Sequence, residues 1–215
     1  MNLAIFGASG RTGSELLHQA LQQGHHITAF VRRSSRIALR HRNLHVMEGS
    51  LENVDQLRIA LAGKQAAISA LGVSKTLHHD PQVIKGVENI VKAMAKEGVP
   101  RFVYQSVFLA NSQQGEFSFF ARNILKRIIR KEVEDHQVKE NLIREGVKDY
   151  TLVRPVRLTL DPFSGSFYHG AMITSGEFLP SIGRADVAHF MLRQLTDRTY
   201  SNKAVRLMKT KIETN

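Results

Sequence analysis

The chain has 215 residues, 42% of them hydrophobic, which is enough for one buried core and short for two domains. It contains no cysteine, which excludes disulfides, thiolate catalysis and zinc–thiolate sites. Its 30 lysines and arginines against 19 acidic residues give a formal charge of +11, which attracts anions such as nucleic acid, an acidic substrate or a phosphorylated cofactor.

Short apolar strands and amphipathic helices alternate from the first residues onward. Strands are predicted over 3–6, 27–31, 44–47, 65–71, 101–106, 150–154 and 204–207. Helices are predicted over 10–23, from 53 onward, from 81 to 98, within 117–145 and over 186–195. Because a strand opens the chain and no apolar run is as long as a membrane span, we expect a soluble, cytoplasmic protein without a targeting segment.

Helix caps are predicted at two of these helices. Asp80, followed by Pro81, is expected to cap the helix that ends near Gly98. Asn53 and Gln56 are expected to form a reciprocal capping box. The alternation as a whole predicts a doubly wound α/β fold, a parallel sheet in the order 3-2-1-4-5-6 with helices on both faces. We expect one domain over 1–215, in which the less regular segment 156–182 forms a small substrate-side cap.

The segment Gly7-Ala8-Ser9-Gly10-Arg11-Thr12-Gly13 joins the first strand to the first helix. Glycines at this spacing, between a strand and a helix, predict a Rossmann-type site for a pyridine dinucleotide. The first glycine would permit the tight turn, the second the approach of a pyrophosphate, and the third close packing of the helix. The amides and dipole of the helix N-terminus would attract the pyrophosphate. The alternative is a tight turn without a ligand.

The second strand is followed by Arg32, Arg33, Ser34, Ser35 and Arg36. An NAD site usually carries an acidic residue here, which holds the ribose 2′-hydroxyl. Three arginines and two hydroxyls instead suit a 2′-phosphate, so the sequence predicts NADP(H) as the cofactor. A solvated basic loop is the alternative.

These segments resemble the atypical short-chain dehydrogenase/reductases of the NmrA-like class, and within it the flavin reductase (biliverdin reductase B) group. The matching segments are 4–13, 31–36, 71–72, 106–109 and 189–193. The resemblance implies NADPH-dependent reduction of flavins, with linear tetrapyrroles as a second class of acceptor. The chain departs from the group's pattern at Ser50, Gln105 and Arg157, which weakens the tetrapyrrole assignment more than the cofactor assignment.

The resemblance also implies a set of site residues. Those expected at the cofactor are Gly7, Ser9, Gly10, Arg11, Thr12, Gly13, Arg32, Arg33, Arg36, Ser50, Leu51, Leu71, Gly72 and Pro155. Ser106 matches the active-site serine, and Phe108 is expected at the substrate. Arg157 departs from the group's pattern and is expected at the substrate because of its charge.

None of the four tyrosines has a lysine four residues later, so the usual proton donor of carbonyl reduction is missing from the pattern. Flavin reduction fits, because the ring system spreads the charge that a hydride brings. Ser106 is expected to donate a hydrogen bond to the nicotinamide or the substrate, and Arg157 with Arg154 to attract a phosphate or propionate. The alternatives are a hydroxyl satisfied by backbone, a solvated Arg157, and an Arg154 paired with a carboxylate.

The remaining signals concern partners. The basic, amphipathic stretch 117–145 fits a membrane surface, nucleic acid or a protein, but we favour a crossover helix with a charged outer face. His78-His79-Asp80 matches no standard metal site, and no metal is expected. Asp186 is interpreted as structural. We expect a flavin-like small molecule as partner, no membrane or nucleic acid, and a monomer or homodimer. Three functions stay open: the flavin reductase, a redox sensor that binds NADP(H) without turnover, and a reductase or isomerase of some other small molecule.

Overall fold

An eight-stranded sheet organises the computed structural model, which describes residues 1–72, 80–110, 130–172 and 180–210. Its strands are β1 Asn2–Phe6, β2 His26–Val31, β3 Leu44–Glu48, β4 Ala66–Ser69, β5 Arg101–Gln105, β6 Asp149–Pro155, β8 Phe167–Gly170 and β10 Lys203–Lys209. They lie in the order β3-β2-β1-β4-β5-β6-β10-β8. Every pairing is parallel except that of β8 with β10. The predicted doubly wound parallel sheet is confirmed.

Helices cover both faces of this sheet. They are α1 Arg11–Gln22, α2 Val54–Leu61, α3 Pro81–Glu97, α4 Arg130–Gly146 and α5 Arg184–Arg193. On one face α1 packs against α5, and on the other α3 packs against both α2 and α4. In the part of the chain that the structure describes, no helix is both long and apolar enough to cross a bilayer. The predicted helix within 117–145 is described only from Arg130, because residues 111–129 lie outside the described ranges.

Alternate side chains of β1 pack into two separate hydrophobic cores, one on each face of the sheet. Leu3 and Ile5 belong to the apolar cluster beneath α1 and α5, whereas Ala4 and Phe6 belong to the cluster beneath α2 and α3. All four side chains are fully buried, as expected of a central parallel strand covered on both faces. This burial fixes the end of β1, and therefore the loop that follows it.

The helix caps follow the sequence prediction with one correction. Asp80 Oδ1 accepts a hydrogen bond from Val83 N at 3.2 Å, and Gly98 ends α3 in the left-handed region with φ 66°. Asn53 Oδ1 accepts from Gln56 N at 3.0 Å. The reciprocal half of the predicted capping box is wrong, because the Gln56 side chain accepts from Ser50 N while Asn53 N donates to the Ser50 carbonyl.

In the described part of the segment 156–182 and at its end lie three short strands that the sequence pattern did not predict. The strands β7 Arg157–Thr159 and β9 Ser181–Gly183 form a separate parallel pair, and β8 lies on the outer side of β10 in the main sheet. The Asp186 carboxylate ties this region to α5 by accepting hydrogen bonds from Ser164 N, Ser164 Oγ and Gly165 N at 2.8–3.0 Å. The structural interpretation of Asp186 is confirmed.

The topology creates a crevice beside β1. From β1 the chain extends the sheet outward through β2 and β3, and then crosses to β4 on the other side of β1. Ligands of doubly wound proteins bind at such a switch point, outside the carboxyl ends of the strands.

Candidate functional site

The glycine loop Gly7–Gly13 sits at this switch point, and two of its glycines are required by the chain itself. Gly7 has φ 78°, and a Cβ there would lie 2.7 Å from the backbone of Ala70 at the end of β4. A Cβ on Gly13 would lie 2.1 Å from the Gly7 carbonyl oxygen. Gly7 therefore permits the turn and its contact with β4, while Gly13 lets α1 start directly against the loop.

The second glycine of the loop, Gly10, is less crowded than the other two, which suits the approach of a ligand. A Cβ on Gly10 would meet only the Gly7 carbonyl, at 3.2 Å. Gly10 is also the N-cap of α1, where no side chain caps the helix and the first turn carries no acidic residue. Among the described residues, the amides at the start of α1 thus have neither an intrahelical partner nor a capping side chain. Ser9 and Arg11 are exposed beside them and Thr12 is buried, an arrangement that fits a pyrophosphate.

The end of β2 places its cations in solvent. Arg32, Arg33 and Arg36 are all exposed, and Ser34–Arg36 forms a single 3-10 turn. The first residue of that turn is held by a carboxylate from the next strand, because Ser34 N and Ser34 Oγ both donate to Glu48 Oε2, at 2.8 and 2.7 Å. These two bonds and the neighbouring Arg33 lower the pKa of Glu48. The ionised carboxylate of Glu48, which the sequence does not predict at this place, therefore lies beside the arginine segment 32–36.

Four further residues expected at the cofactor lie on the loops after β3 and β4. The Ser50 hydroxyl accepts from Glu52 N at 3.2 Å, and the Leu51 carbonyl accepts from Asn89 Nδ2 of α3 at 2.9 Å. Leu71 N is 2.8 Å from the position of a Cβ on Gly7, so the loop after β4 touches the glycine loop. Gly72 is exposed beside it. The fold thus brings the ends of β1, β3 and β4 into one region.

Ser106 lies just past the end of β5, and a carboxylate determines the direction of its hydrogen bond. Its side chain is buried, with its amide donating to the Val153 carbonyl of β6 at 2.7 Å. Ser106 Oγ lies 2.7 Å from Glu140 Oε1. An ionised carboxylate can only accept, so the single hydroxyl proton of Ser106 goes to Glu140. Any further partner of Ser106 Oγ must then be a donor.

Glu140 is fully buried on α4 and is paired with a fully charged partner. Arg154 of β6, which is 4% exposed, donates from Nε to Glu140 Oε1 at 2.8 Å and from Nη2 to Glu140 Oε2. Such a two-pronged pair stabilises a carboxylate that burial alone would disfavour. Of the two interpretations of Arg154, pairing with a carboxylate is confirmed, and attraction of a substrate anion is wrong.

A buried histidine completes the group around Ser106. Nδ1 of His136 lies 3.4 Å from both Tyr104 Oη and Ser106 Oγ. Burial, and secondarily the charge of Lys139, lower the pKa of His136 well below 6.5, so the ring is neutral at physiological pH. Burial, and secondarily Glu140, raise the pKa of Tyr104 far above its usual value. Neither ring is therefore a ready proton donor.

The two residues expected at the substrate differ in accessibility. Arg157 is exposed at the first position of β7, two residues after Pro155, whose carbonyl accepts from Phe108 N at 3.0 Å. Phe108 is 5% exposed, and the Arg206 guanidinium lies 5.4 Å from its ring centroid. The structure leaves Arg157 open to solvent and little of the Phe108 ring open to a ligand.

Sequence reasoning missed Glu48, His136 and Glu140. The spacing of Val133, His136, Glu140 and Ile143 carries a signal for the last two, because it places polar residues on the same buried face as apolar ones. Glu48 carried no such signal, since its partner Ser34 lies on a neighbouring strand's loop. Among the described residues no cluster of His, Asp or Glu could hold a metal ion; His78 and His79 lie outside them, and Asp80 caps α3.

The strand, the glycine loop and the helix that follows form the geometry of a dinucleotide site, and the comparison with known families gives the same result. A sequence model of NAD(P)H-binding domains matches residues 7–198, from the first residue of the glycine loop to beyond α5. The chain belongs to this NAD(P)H-binding family. One relative is the photosystem II assembly factor Ycf39 of Synechocystis, which is 28% identical to this chain over 116 residues; these residues cover 51% of this chain. Those residues cover 35% of the relative, so the NAD(P)H-binding chain spans about a third of its length.

Solved structures share the fold over almost the whole NAD(P)H-binding chain. The oxidoreductase ylbE from Lactococcus lactis has a TM-score of 0.82 at 19% identity, covering 98% of this chain and 92% of that one. A wide-type short-chain dehydrogenase/reductase from Veillonella parvula in complex with NADP has 0.77 at 21%, covering 99% and 95%. A candidate NADH-flavin reductase from Streptococcus pneumoniae has 0.74 at 18%, covering 98% and 100%. Likeness at this identity shows the fold alone.

Proposed function

We propose that this protein is an NADPH-dependent reductase that transfers a hydride to a flavin or a similarly conjugated acceptor. Family membership supports the cofactor class, and one observation carries the choice of acceptor: the Ser106 hydroxyl proton is donated to Glu140 at 2.7 Å. When bound, the dihydronicotinamide supplies the hydride. What remains for the chain is to hold the two rings at reacting distance.

The shortage of a proton donor argues against a simple ketone or aldehyde as acceptor. Reduction of an isolated carbonyl leaves an alkoxide that needs a nearby acid. Of the described polar groups around the end of β5, the Ser106 hydroxyl already donates its proton to Glu140, Tyr104 is buried and has a raised pKa, and His136 is neutral. A conjugated acceptor delocalises the added charge and can take its proton from solvent afterwards, so it does not require this acid.

In this proposal Ser106 accepts a hydrogen bond instead of donating one. Its lone pairs can receive the N–H of the nicotinamide carboxamide or of a flavin ring, because its own proton is already used. The expectation that Ser106 donates to a ligand is inconsistent with the Glu140 contact in this structure. Glu140 then acts as a positioning residue that holds the hydroxyl in one rotamer.

Arg157 supplies the other half of acceptor binding in the proposal. It is exposed, lies two residues beyond the carboxyl end of β6, and can attract the phosphate of FMN. The names of two structural neighbours support separate parts of the proposal: the candidate NADH-flavin reductase supports a flavin as acceptor, and the complex with NADP supports the cofactor.

The test measures loss of dihydronicotinamide absorbance with the full chain, comparing NADPH with NADH. The acceptors are FMN, FAD, riboflavin, biliverdin, a quinone and a simple aldehyde. We expect turnover of flavins with NADPH and none of the aldehyde. Turnover of the aldehyde but no flavin would overturn the proposal. Tight NADPH binding without turnover of any acceptor would instead support the redox sensor.

A further inference from the structure

We propose that Glu48, at the end of β3, sets how strongly this chain prefers NADPH over NADH. The inference rests on the proposed function, in that the cofactor's adenosine ribose must lie at the end of β2. It goes further by assigning the preference to a residue outside the arginine segment 32–36.

The sheet register carries the Glu48 carboxylate to the end of the neighbouring strand. Glu48 is the parallel partner of Val31, the last residue of β2. From there one of its oxygens, Oε2, accepts hydrogen bonds from both Ser34 N and Ser34 Oγ, at 2.8 and 2.7 Å. The carboxylate is thus fixed three residues beyond β2, although it belongs to another strand.

This placement brings two opposed kinds of recognition into one loop. A carboxylate at the end of β2 is the feature that holds the free ribose 2′-hydroxyl of NADH, whereas arginines at that place suit the 2′-phosphate of NADPH. β2 is itself followed by Arg32, Arg33 and Arg36 and by no acid. β3 supplies the missing acid, so the loop contains the recognition elements for both cofactors.

The two anions compete for the same donors. A 2′-phosphate that bonds to Ser34 N–H and to the Ser34 hydroxyl must displace Glu48, because both hydrogens are already donated to Oε2. A phosphate bound elsewhere on the loop still lies near an ionised carboxylate, which repels it. A 2′-hydroxyl, by contrast, can donate to Glu48 while the carboxylate keeps its place. Glu48 therefore weakens NADPH binding and favours NADH.

A purely structural role for Glu48, as the cap of the 3-10 turn, predicts something different. Loss of a cap would weaken both cofactors together by loosening the arginine segment. Glu48→Gln separates the two roles, because its amide oxygen can still accept from Ser34 while the charge is gone. Glu52→Gln is the matched control, since it removes an exposed charge four residues further along the chain.

The experiment measures dissociation constants of NADPH and NADH for the full chain and for Glu48→Gln, Glu48→Ala and Glu52→Gln. We expect Glu48→Gln to tighten NADPH by about tenfold, and not to tighten NADH, from loss of one nearby like charge. Glu48→Ala should shift the ratio of the two constants in the same direction, although loss of the cap weakens both. Glu52→Gln should leave the ratio of the two constants unchanged.

Raised salt should shrink the effect of Glu48 by screening the repulsion. An unchanged ratio in both Glu48 variants, or equal weakening of both cofactors, would overturn the inference and leave the proposed function standing. If the unmodified chain binds neither cofactor, the proposed function itself fails, which is a separate and distinguishable result.

Discussion

At the scale of single residues, the direction of one proton decides what the site can do. Ser106 alone could donate or accept, but its contact with Glu140 leaves only acceptance. Arg154 in turn binds both oxygens of this buried carboxylate. A buried ion pair of this kind tolerates the loss of both members better than the loss of one.

The first prediction tests that pair through stability. Glu140→Gln or Arg154→Met alone should lower the free energy of unfolding by about 3 kcal/mol, because each removes one half of a buried ion pair and keeps the other half. The double variant Glu140→Gln/Arg154→Met should lose much less than the sum. Urea unfolding of the four proteins gives the coupling energy, with exposed Glu145→Gln on the same helix as the control. Strict additivity of the two single changes would contradict the pairing.

The second prediction concerns the 2′-phosphate. Arg32→Asp with Arg36→Ala should weaken NADPH binding by about a hundredfold or more, because each charge-assisted bond contributes about 1.5–3 kcal/mol. NADH binding should change little. Titration with both cofactors measures this, and Arg40→Ala with Arg42→Ala on the same exposed loop is the control. Equal losses for the two cofactors would refute the assignment.

The third prediction separates two acceptors that differ by one phosphate. Arg157→Gln should raise the KM for FMN by about tenfold, the value of one charged hydrogen bond, and leave the KM for riboflavin unchanged. Steady-state rates with NADPH at saturation give both constants. If the KM values for both flavins rise together, Arg157 does not contact the phosphate.

At the scale of elements, two glycines at the start of α1 have different roles: Gly13 is required for folding, and Gly10 is expected to be required for binding the cofactor. Gly13 lies where a Cβ would come within 2.1 Å of the Gly7 carbonyl, so the backbone itself would have to move. Gly10 has only one contact, at 3.2 Å, on its otherwise open side. The two positions should therefore respond differently to the same methyl group.

The fourth prediction follows from this contrast. Gly13→Ala should lower the free energy of unfolding by about 1–3 kcal/mol, the usual effect of overpacking, and also impair cofactor binding. Gly10→Ala should leave thermal stability nearly unchanged but weaken NADPH and NADH alike, because the methyl group occupies the side that a pyrophosphate approaches. If Gly10→Ala binds both cofactors normally, the pyrophosphate does not bind at this loop.

Elements with a strong local pattern were predictable from the sequence, and elements defined by distant partners were not. The strands β1 to β6, the caps at Asn53 and Asp80, and the glycine loop each carry their own signal. β8 has four residues and exists only because β10, more than thirty residues later, pairs with it. The same holds for the site. Glu140 is 34 residues from Ser106, so the local sequence around Ser106 does not predict their contact.

At the scale of the whole molecule, the buried polar face of α4 links pH to stability. The pKa of His136 is lowered by burial and then by Lys139, and its Nδ1 faces Tyr104 and Ser106. The folded protein therefore binds fewer protons than the unfolded chain between that lowered pKa and 6.5. Stability from this group is complete above pH 6.5 and is lost as the pH falls below it.

The fifth prediction uses that sign. Between pH 6.5 and 5 the free energy of unfolding should fall more steeply in the unmodified chain than in His136→Gln, by at most about 1.4 kcal/mol per pH unit. The His136→Gln variant is needed because other groups also titrate in this range. Burial lowers the pKa of His189, which affects stability in the same direction as His136, and raises the pKa of Glu132, which affects it in the opposite direction. Parallel stability curves for the two proteins would show that His136 titrates normally.

The placement of β10 also bears on how the chain folds during synthesis. β10 lies between β6 and β8, although both of its neighbours are made first. While the ribosome still holds residues 203–209, β6 has an open edge and β8 has no strand to join. The amino-terminal half, from β1 to β5, can assemble as it emerges, whereas this side of the sheet must wait until residues 203–209 have emerged as well. A nascent chain stalled before residue 203 would therefore expose the β6 edge, where chaperones and neighbouring chains can bind.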